Sequence, residues 1–142
     1  MRVSEINILL VEDDEVDVKA VKRGLRELKI VNPVMRAADG IEALEMLRGE
    51  QGREAVRRPY LILLDLNMPR MGGLEFLAEL RRDPELQQAL VFVMTTSSAE
   101  EDRFRAYDQH VAGYMLKHSP AHSFIDALMM LEHYWRVVEF PT

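Results

Sequence analysis

Short apolar runs alternate along this chain with segments in which apolar residues recur every three or four positions. The runs that predict strands are residues 6–11, 34–37, 61–64, 91–94 and 114–116. A segment of helical spacing follows each run, which predicts five strands and five helices. Strands that alternate with helices in this way are typical of a parallel sheet with helices on both faces. We therefore expect an α/β fold.

Turn-forming residues separate these segments. Asn32 and Pro33 end the first helical segment, and Asp39 and Gly40 precede the second. The stretch 49–59 is polar, glycine-containing and rich in arginine, so we expect a long exposed loop before the third strand.

The last two helices carry terminal signals of their own. The fourth helix is predicted to start at Ser98, because Glu101 three residues later completes a capping box. Phe104 and Tyr107 are expected to form its apolar side. The fifth helix is expected over residues 121–138.

Polar residues stand where four of the predicted strands end. Glu12 and Asp13 follow the first strand, Asp65 the third, Thr95 the fourth and Lys117 the fifth. In an open parallel sheet the carboxyl ends of the strands share one edge, and ligands bind there. The sequence therefore predicts that three carboxylates, a hydroxyl and an ammonium group converge at this edge.

These groups suit phosphoryl chemistry with a divalent cation. Mg²⁺ takes oxygen ligands, usually one or two carboxylates, and Asp13 and Asp65 meet that need. An aspartate can also act as a nucleophile toward a phosphoryl group, a role open to Asp65. Lys117 and Thr95 could donate hydrogen bonds to the transferred group. A contact made only after transfer would make Thr95 a sensor of phosphorylation.

Each of these residues also has an ordinary explanation. Asp13 or Asp14 could cap the first helix, and Asp65 could be a turn residue. Thr95 could be a loop hydroxyl and Lys117 a solvated lysine. The joint placement of such residues after four separate strands favours a site over these single explanations.

Length, composition and charge narrow the class of protein. The 142 residues, 48% of them hydrophobic, fit one domain, with a core over about 5–131 and a C-terminal extension over about 132–142. The lack of cysteine suggests a reducing compartment, and the cytoplasm is the expected location. No apolar segment is long enough to span a membrane. A net charge of −6 disfavours nucleic-acid binding, so we expect protein partners.

Four motifs resemble the receiver domain of two-component response regulators. They are ILLVEDD at 8–14, LLDLNMP at 63–69, TTS at 95–97 and GYMLK at 113–117. The resemblance covers nearly the whole chain. It implies a doubly wound, five-stranded parallel sheet of strand order 2-1-3-4-5. It also implies a signalling protein that accepts a phosphoryl group and is not an enzyme. The one reaction expected of it besides phosphorylation is hydrolysis of its own acyl phosphate.

The resemblance assigns roles to the acidic residues. Asp65 is expected to be the phosphoacceptor. Mg²⁺, for which Mn²⁺ can substitute, is expected on Asp13, Asp65 and the main-chain carbonyl of Asn67. Glu12 would act on the ion through water.

The same resemblance assigns a switch. Thr95 and Lys117 are expected to contact the phosphoryl group, and Thr95 is expected to couple to a rotation of Tyr114. Asn67 and Ser97 lie two residues beyond the phosphoacceptor and the switch threonine. They are expected to modulate the lifetime of the acyl phosphate.

Two departures from the family pattern keep alternatives open. Glu12 replaces the commoner aspartate, and His118 follows Lys117 where the family usually has proline. That proline commonly lies behind a cis bond, which costs about 3 kcal/mol without proline, so the Lys117–His118 bond is expected to be trans or strained. A degenerate receiver that acts as a binding module without phosphorylation is therefore one alternative. A phosphohydrolase is another, although Asn67 stands where such enzymes need a second acid.

Residues 67–73, the loop before the third strand and the tail from residue 134 look like the single-domain regulators paired with bacterial phytochromes. This narrower resemblance implies a sensor histidine kinase as partner, with a bacteriophytochrome as the candidate. It also implies a homodimer through the C-terminal region. The last helix is apolar on more than one side, which indicates a second partner. The expected dimer or partner face is Leu131, Tyr134, Trp135, Val138 and Phe140. The alternative is a deeper monomer core with the tail folded back.

Overall fold

The computed structural model describes residues 6–117 and 124–137, apart from the side chains of 124, 125 and 135, and strands alternate with helices throughout these ranges. The strands are β1 Asn7–Val11, β2 Val34–Ala37, β3 Tyr60–Leu64, β4 Leu90–Thr95 and β5 Gly113–Leu116. The helices are α1 Glu15–Glu27, α2 Gly40–Arg48, α3 Gly73–Arg82, α4 Glu100–Asp108 and α5 Phe124–Val137. The predicted strands are confirmed to within a residue at each end.

All five strands are parallel and lie in the order β2-β1-β3-β4-β5, as predicted. The chain passes from β1 to β2 on one side and then crosses to β3 on the other. Val11, the last residue of β1, pairs with Ala37 and with Leu64, so the carboxyl ends of three neighbouring strands are level. This reversal of strand order at β1 and β3 creates the crevice in which such folds bind ligands.

Two apolar layers pack against the two faces of the sheet. Leu9 and Ile62 point into the layer shared with α2, α3 and α4, whereas Ile8 and Leu61 point into the layer shared with α1 and α5. The central strands are apolar at nearly every position because both of their faces are covered. No helix in the described part of the chain is long and apolar enough to cross a membrane.

The long loop between α2 and β3 is largely exposed, as predicted, but it is anchored. Gly49 ends α2 in the left-handed conformation, with φ 70°. Val56 is buried, and its N–H donates to the Met46 carbonyl at 3.1 Å. The Arg58–Pro59 bond that leads into β3 is cis.

The predicted start of the fourth helix is wrong. Helix α4 begins at Glu100 after Ala99, and no side chain caps it. The neighbouring Ser97 hydroxyl donates to the Asp102 carboxylate at 2.7 Å. A serine therefore does bond to the first turn of α4, but it lies one residue before the predicted cap and contacts a side chain.

The predicted apolar side of α4 is also wrong. Phe104 is 74% exposed and Tyr107 is 49% exposed, whereas Ala106 is fully buried. Residues of an α-helix are about 100° apart, so Phe104 points almost opposite to Ala106. The small residue Ala106 therefore packs into the core layer in place of the two aromatic residues.

Part of the predicted partner face belongs to the core of the chain itself. Leu131 is 1% exposed and packs beside Leu128 in the layer that covers β1 and β3. Tyr134 is half-buried, and its ring meets that of Phe92 edge to face with centroids 4.7 Å apart. For Leu131 the expectation of a partner contact is therefore wrong, because its side chain is buried in the chain's own core, whereas the tail that the alternative folds back lies outside the described residues.

The outward apolar residues of α5 are different ones. Met129, Met130 and Val137 are 52%, 43% and 69% exposed. The expected contacts of the Trp135 side chain, Val138 and Phe140 lie outside the described residues, as does the Lys117–His118 bond.

Candidate functional site at the carboxyl edge of the sheet

The structure brings the predicted strand-end residues together. The Asp65 N–H donates to the Val11 carbonyl at 3.0 Å, and the Lys117 N–H donates to the Thr95 carbonyl at 2.8 Å. These main-chain bonds continue the strand pairing by one step beyond the ends of β3 and β5. The side chains that follow are therefore held side by side at one edge of the sheet.

Three carboxylates form the acidic part of this site. One carboxylate oxygen each of Glu12, Asp13 and Asp65 lies within 4.8 Å of the other two. Glu12 and Asp65 are buried, whereas Asp13 is exposed. A hard cation could therefore bind to buried oxygens on one side and keep waters on the other, as Mg²⁺ prefers.

One carboxylate oxygen of Asp65 is positioned to bind a ligand. Its Oδ1 is buried and, among the described residues, has no hydrogen-bond partner. A buried carboxylate oxygen without a partner is costly, and native proteins rarely leave one. The donor set therefore fits a divalent cation.

Lys117 is the basic residue of the site. Its Nζ donates to Glu12 Oε1 at 2.5 Å and to Asp17 Oδ2 at 2.5 Å, and it lies 3.7 Å from Asp65 Oδ2. The side chain is 3% exposed. Lys117 is therefore not a solvated lysine. Asp17, in the first turn of α1, was not predicted as a site residue.

The electrostatics of the site reflect an excess of negative charge. Burial raises the pKa of Glu12 to about 7, opposed by the hydrogen bond from Lys117 and aided by the charge of Asp65. Burial alone would lower the pKa of Lys117, but its hydrogen bonds to Asp17 and Glu12 outweigh this and raise it. Burial is thus the main cause of the raised pKa of Glu12, and the neighbouring carboxylates are the cause of the raised pKa of Lys117. Additional positive charge is favoured here.

Helix α1 is capped by Asp14, and this leaves Asp13 for the site. The Asp14 carboxylate accepts from the N–H groups of Val16 at 2.8 Å and Asp17 at 3.4 Å. The alternative that Asp13 is a helix cap is wrong, since the next residue has that role.

Arg36 of β2 holds the acidic loop in place, and no pattern in the sequence predicted this role. Its guanidinium donates to the carbonyls of Glu12 at 2.9 Å and Asp13 at 3.0 Å, and to Glu15 Oε1 at 2.8 Å. The geometry of the two acids therefore depends on a residue of a different strand.

The predicted switch residues are linked through Ser97. Thr95 is fully buried, and its hydroxyl oxygen accepts from the Ser97 N–H at 3.3 Å. The Tyr114 hydroxyl donates to the Ser97 carbonyl at 2.8 Å, while the Ser97 hydroxyl binds Asp102 of α4. One short loop thus contacts β4, β5 and α4 together.

The loop after Asp65 is fixed against both neighbouring helices. Asn67 is exposed within it. The Gly73 N–H donates to the Leu66 carbonyl at 3.0 Å at the start of α3, and the Gly40 N–H donates to the Met71 carbonyl at 3.0 Å at the start of α2.

Comparison with known proteins assigns the class. The family model described as "Response regulator receiver domain" matches residues 8–129. The chain belongs to this family, and it is a receiver-domain protein of two-component signalling.

Its relatives include regulators associated with phytochromes. Response regulator Rcp1 of Synechocystis sp. is 36% identical over 128 residues, which cover 90% of this chain and 87% of the relative. The crystal structure of the phosphorylated cyanobacterial phytochrome response regulator RcpA is 35% identical, with a TM-score of 0.87 over 97% of this chain and 99% of that chain. The Mn²⁺-bound form of Rcp1 is 34% identical, with a TM-score of 0.85 over the same shares.

Proposed function

We propose that Asp65 accepts a phosphoryl group from a sensor histidine kinase and that the modification changes the association of this chain with other proteins. The observation that carries the proposal is the position of Asp65. Its carboxylate is buried between two other acids and Lys117, with one oxygen unpartnered among the described residues. Such a carboxylate is positioned as a nucleophile, whereas a purely structural one would have its oxygens paired.

The transfer needs no proton from the receiver. An Asp65 carboxylate oxygen forms a bond to phosphorus while the P–N bond to the kinase histidine breaks. The electron pair of that bond stays on the imidazole nitrogen. The attacking group is the Asp65 carboxylate, and the ammonium of Lys117 lies 3.7 Å from its Oδ2.

We propose that Asp13, Asp65 and the main-chain carbonyl of Asn67 hold Mg²⁺, with Glu12 acting through water. When bound, the ion supplies positive charge that offsets the negative charge of the phosphoryl oxygens. The Mn²⁺-bound form of Rcp1 supports a divalent ion in a related protein.

Thr95 and Lys117 are the proposed contacts of the transferred group. The Lys117 ammonium already lies inside the site, and the Thr95 hydroxyl keeps its hydrogen for donation while its oxygen accepts from Ser97. A shift of Thr95 toward the phosphoryl group would disturb the Ser97 loop and with it the hydrogen bond to Tyr114. Asn67 and Ser97 are proposed to tune the lifetime of the acyl phosphate.

We further propose a bacteriophytochrome-type kinase as the donor, because RcpA is described as a phytochrome response regulator. The chain is proposed to act as one receiver domain, with a core over about 5–131 and an extension beyond it, without nucleic acid as a partner. A homodimer through the C-terminal helix is proposed in addition, now on its outward residues Met130 and Val137.

Intact-mass analysis after incubation with acetyl phosphate tests the proposal. Wild type should gain one phosphoryl group only with Mg²⁺, and hydroxylamine should remove it because it is an acyl phosphate. Asp65→Asn should gain none, whereas Asp108→Asn, at an exposed aspartate of α4, should behave as wild type. An unmodified wild type that still binds Mg²⁺ would favour the phosphorylation-independent binding module.

A further inference from the structure

Asp17 of α1 is a carboxylate of the site that has no role in the proposed transfer. Its Oδ2 accepts a hydrogen bond from Lys117 Nζ at 2.5 Å, a contact that joins residues 100 positions apart in the chain. The Asp17 side chain is 28% exposed, so water screens this ion pair only in part.

The hydrogen bonds of Lys117 leave one direction open. An ammonium has three N–H donors in fixed tetrahedral directions. Glu12 and Asp17 accept two of them, and Asp65 Oδ2 lies 3.7 Å away, too far for a good hydrogen bond. With two donors used in the short contacts, the third remains, and Asp65 Oδ2 is the further carboxylate oxygen near Lys117 Nζ.

Glu12 and Asp17 differ in one important respect. Glu12 belongs to the cluster of acids that could hold a cation, together with Asp13 and Asp65, whereas Asp17 is not part of that cluster. A cation at the cluster would share the charge of Glu12 and weaken its hold on Lys117. Asp17 would then be the carboxylate that still anchors the ammonium.

We propose that Asp17 is a positioning residue for phosphoryl transfer: it holds Lys117 Nζ so that the remaining N–H faces the phosphoryl group on Asp65. The inference rests on the proposed function. Asp17 contacts neither the phosphoryl group nor the cation and acts only through Lys117.

Asp17→Asn tests this role, because the amide keeps the size of the side chain and removes its charge. The rate of phosphorylation by acetyl phosphate at saturating Mg²⁺ should fall by about tenfold, since small misplacements of a catalytic group cost at least that much. The Mg²⁺ affinity measured by calorimetry should change by less than about twofold, because Asp17 is not a ligand. The matched control is Glu27→Gln, which removes the same charge from an exposed position of α1, about 15 Å along the helix from Asp17.

A double-mutant comparison separates positioning from a general effect. In a Lys117→Gln background, Asp17→Asn should cause no further loss of rate, because the residue through which it acts is gone. An equal slowing with and without Lys117, or a rate for Asp17→Asn that matches Glu27→Gln, would overturn the inference.

A second readout does not depend on phosphorylation. Among the lysines, Lys19, Lys22, Lys29 and Lys117, only Lys117 is buried, so its ¹⁵Nζ ammonium signal should survive exchange with solvent in NMR spectra of the free protein. Asp17→Asn should broaden that signal, and Glu27→Gln should not. If wild type accepts no phosphoryl group, the proposed function fails on its own, while an unchanged ammonium signal in Asp17→Asn would refute the anchor.

Discussion

Gly73, the first residue of α3, lies so close to the proposed phosphoacceptor that a methyl group does not fit. A Cβ at this position would lie 2.6 Å from the Asp65 carbonyl oxygen and 2.7 Å from Leu66 Cα. Both are main-chain atoms, so relief requires a shift of the Asp65 backbone. Gly73→Ala should lower the free energy of unfolding by about 1–3 kcal/mol in urea denaturation. It should also slow phosphorylation, because Asp65 moves with its backbone.

Gly72→Ala is the matched control for this prediction. A Cβ on Gly72 would come no closer than 3.4 Å to any neighbour, an ordinary contact. The substitution should cost less than about 1 kcal/mol, for the poorer helix cap. Equal losses in the two variants would show that the close approach at Gly73 is not what limits the site.

Asp39 gives the chain a pH dependence at a residue outside the acidic cluster. Burial alone would raise its pKa, but hydrogen bonds from Arg70 Nε at 2.6 Å and the Glu42 N–H at 2.9 Å lower it below its ordinary 3.8. The folded state therefore binds this proton less readily than the unfolded state. Its stabilisation is complete above the ordinary pKa and is lost as the pH falls through the lowered one.

Asp39→Asn isolates that contribution, because asparagine keeps the helix cap and loses the ion pair with Arg70. The difference in unfolding free energy between wild type and variant should be largest near neutral pH. It should shrink below about pH 4, measured by urea denaturation across that range. A difference that stays constant with pH would mean that the ion pair does not contribute.

Among single residues, those at the strand ends of the site were predicted from the sequence, whereas the residues that hold them in position were not. Asp65 and Lys117 stand out because each ends an apolar run. Asp17 does not, since an acid in the first turn of a helix is adequately explained by the helix dipole. Only the three-dimensional structure shows that Lys117 reaches it.

Strand β2 contributes to the site as an element, although none of its residues was expected there. Its Arg36 spans the carbonyls of Glu12 and Asp13 and the carboxylate of Glu15. Arg36→Ala should free the acidic loop and weaken Mg²⁺ binding by about tenfold in calorimetry, as loss of partners around a metal site commonly does. The protein should stay folded, because the side chain is partly exposed.

Arg53→Ala provides a comparison of equal charge. Arg53 pairs with Glu42 outside the acidic loop, and its side chain is 40% exposed. Its removal should leave Mg²⁺ affinity unchanged within about twofold. If both variants weaken the ion equally, the effect of Arg36 is one of overall charge and not of loop geometry.

The bounds of an element were predictable from the sequence where both of its faces are buried. The buried side of a helix was mispredicted where the helix is covered on one side. The central strands are apolar throughout because helices cover both faces. The ends of the apolar runs in the sequence therefore predicted the ends of these strands. Helix α4 buries only Ala106 fully, so its two aromatic residues misled the assignment of its inner face. Helix α5 has apolar residues on both its buried and its exposed side. Periodicity alone therefore could not show that Leu131 lies on the buried side.

At the scale of the whole molecule, α5 presents apolar residues on its outward face. Met130 and Val137 are seven residues apart, so they lie on one side of the helix, two turns from each other. Leu128 and Leu131 are buried on the other side. Apolar residues that remain exposed on one stripe of a helix favour a partner, and we expect a second copy of this chain.

Replacement of both Met130 and Val137 by glutamate should therefore weaken self-association at least about tenfold, because dimerisation would bury like charges against each other. Sedimentation equilibrium of wild type and variant, with and without acetyl phosphate, measures this and shows whether phosphorylation matters. The same charge change at Val16 and Val31, which are 74% and 86% exposed elsewhere, should leave association unaltered. A wild type that is monomeric at all concentrations, phosphorylated or not, would contradict the dimer and leave this face for the kinase.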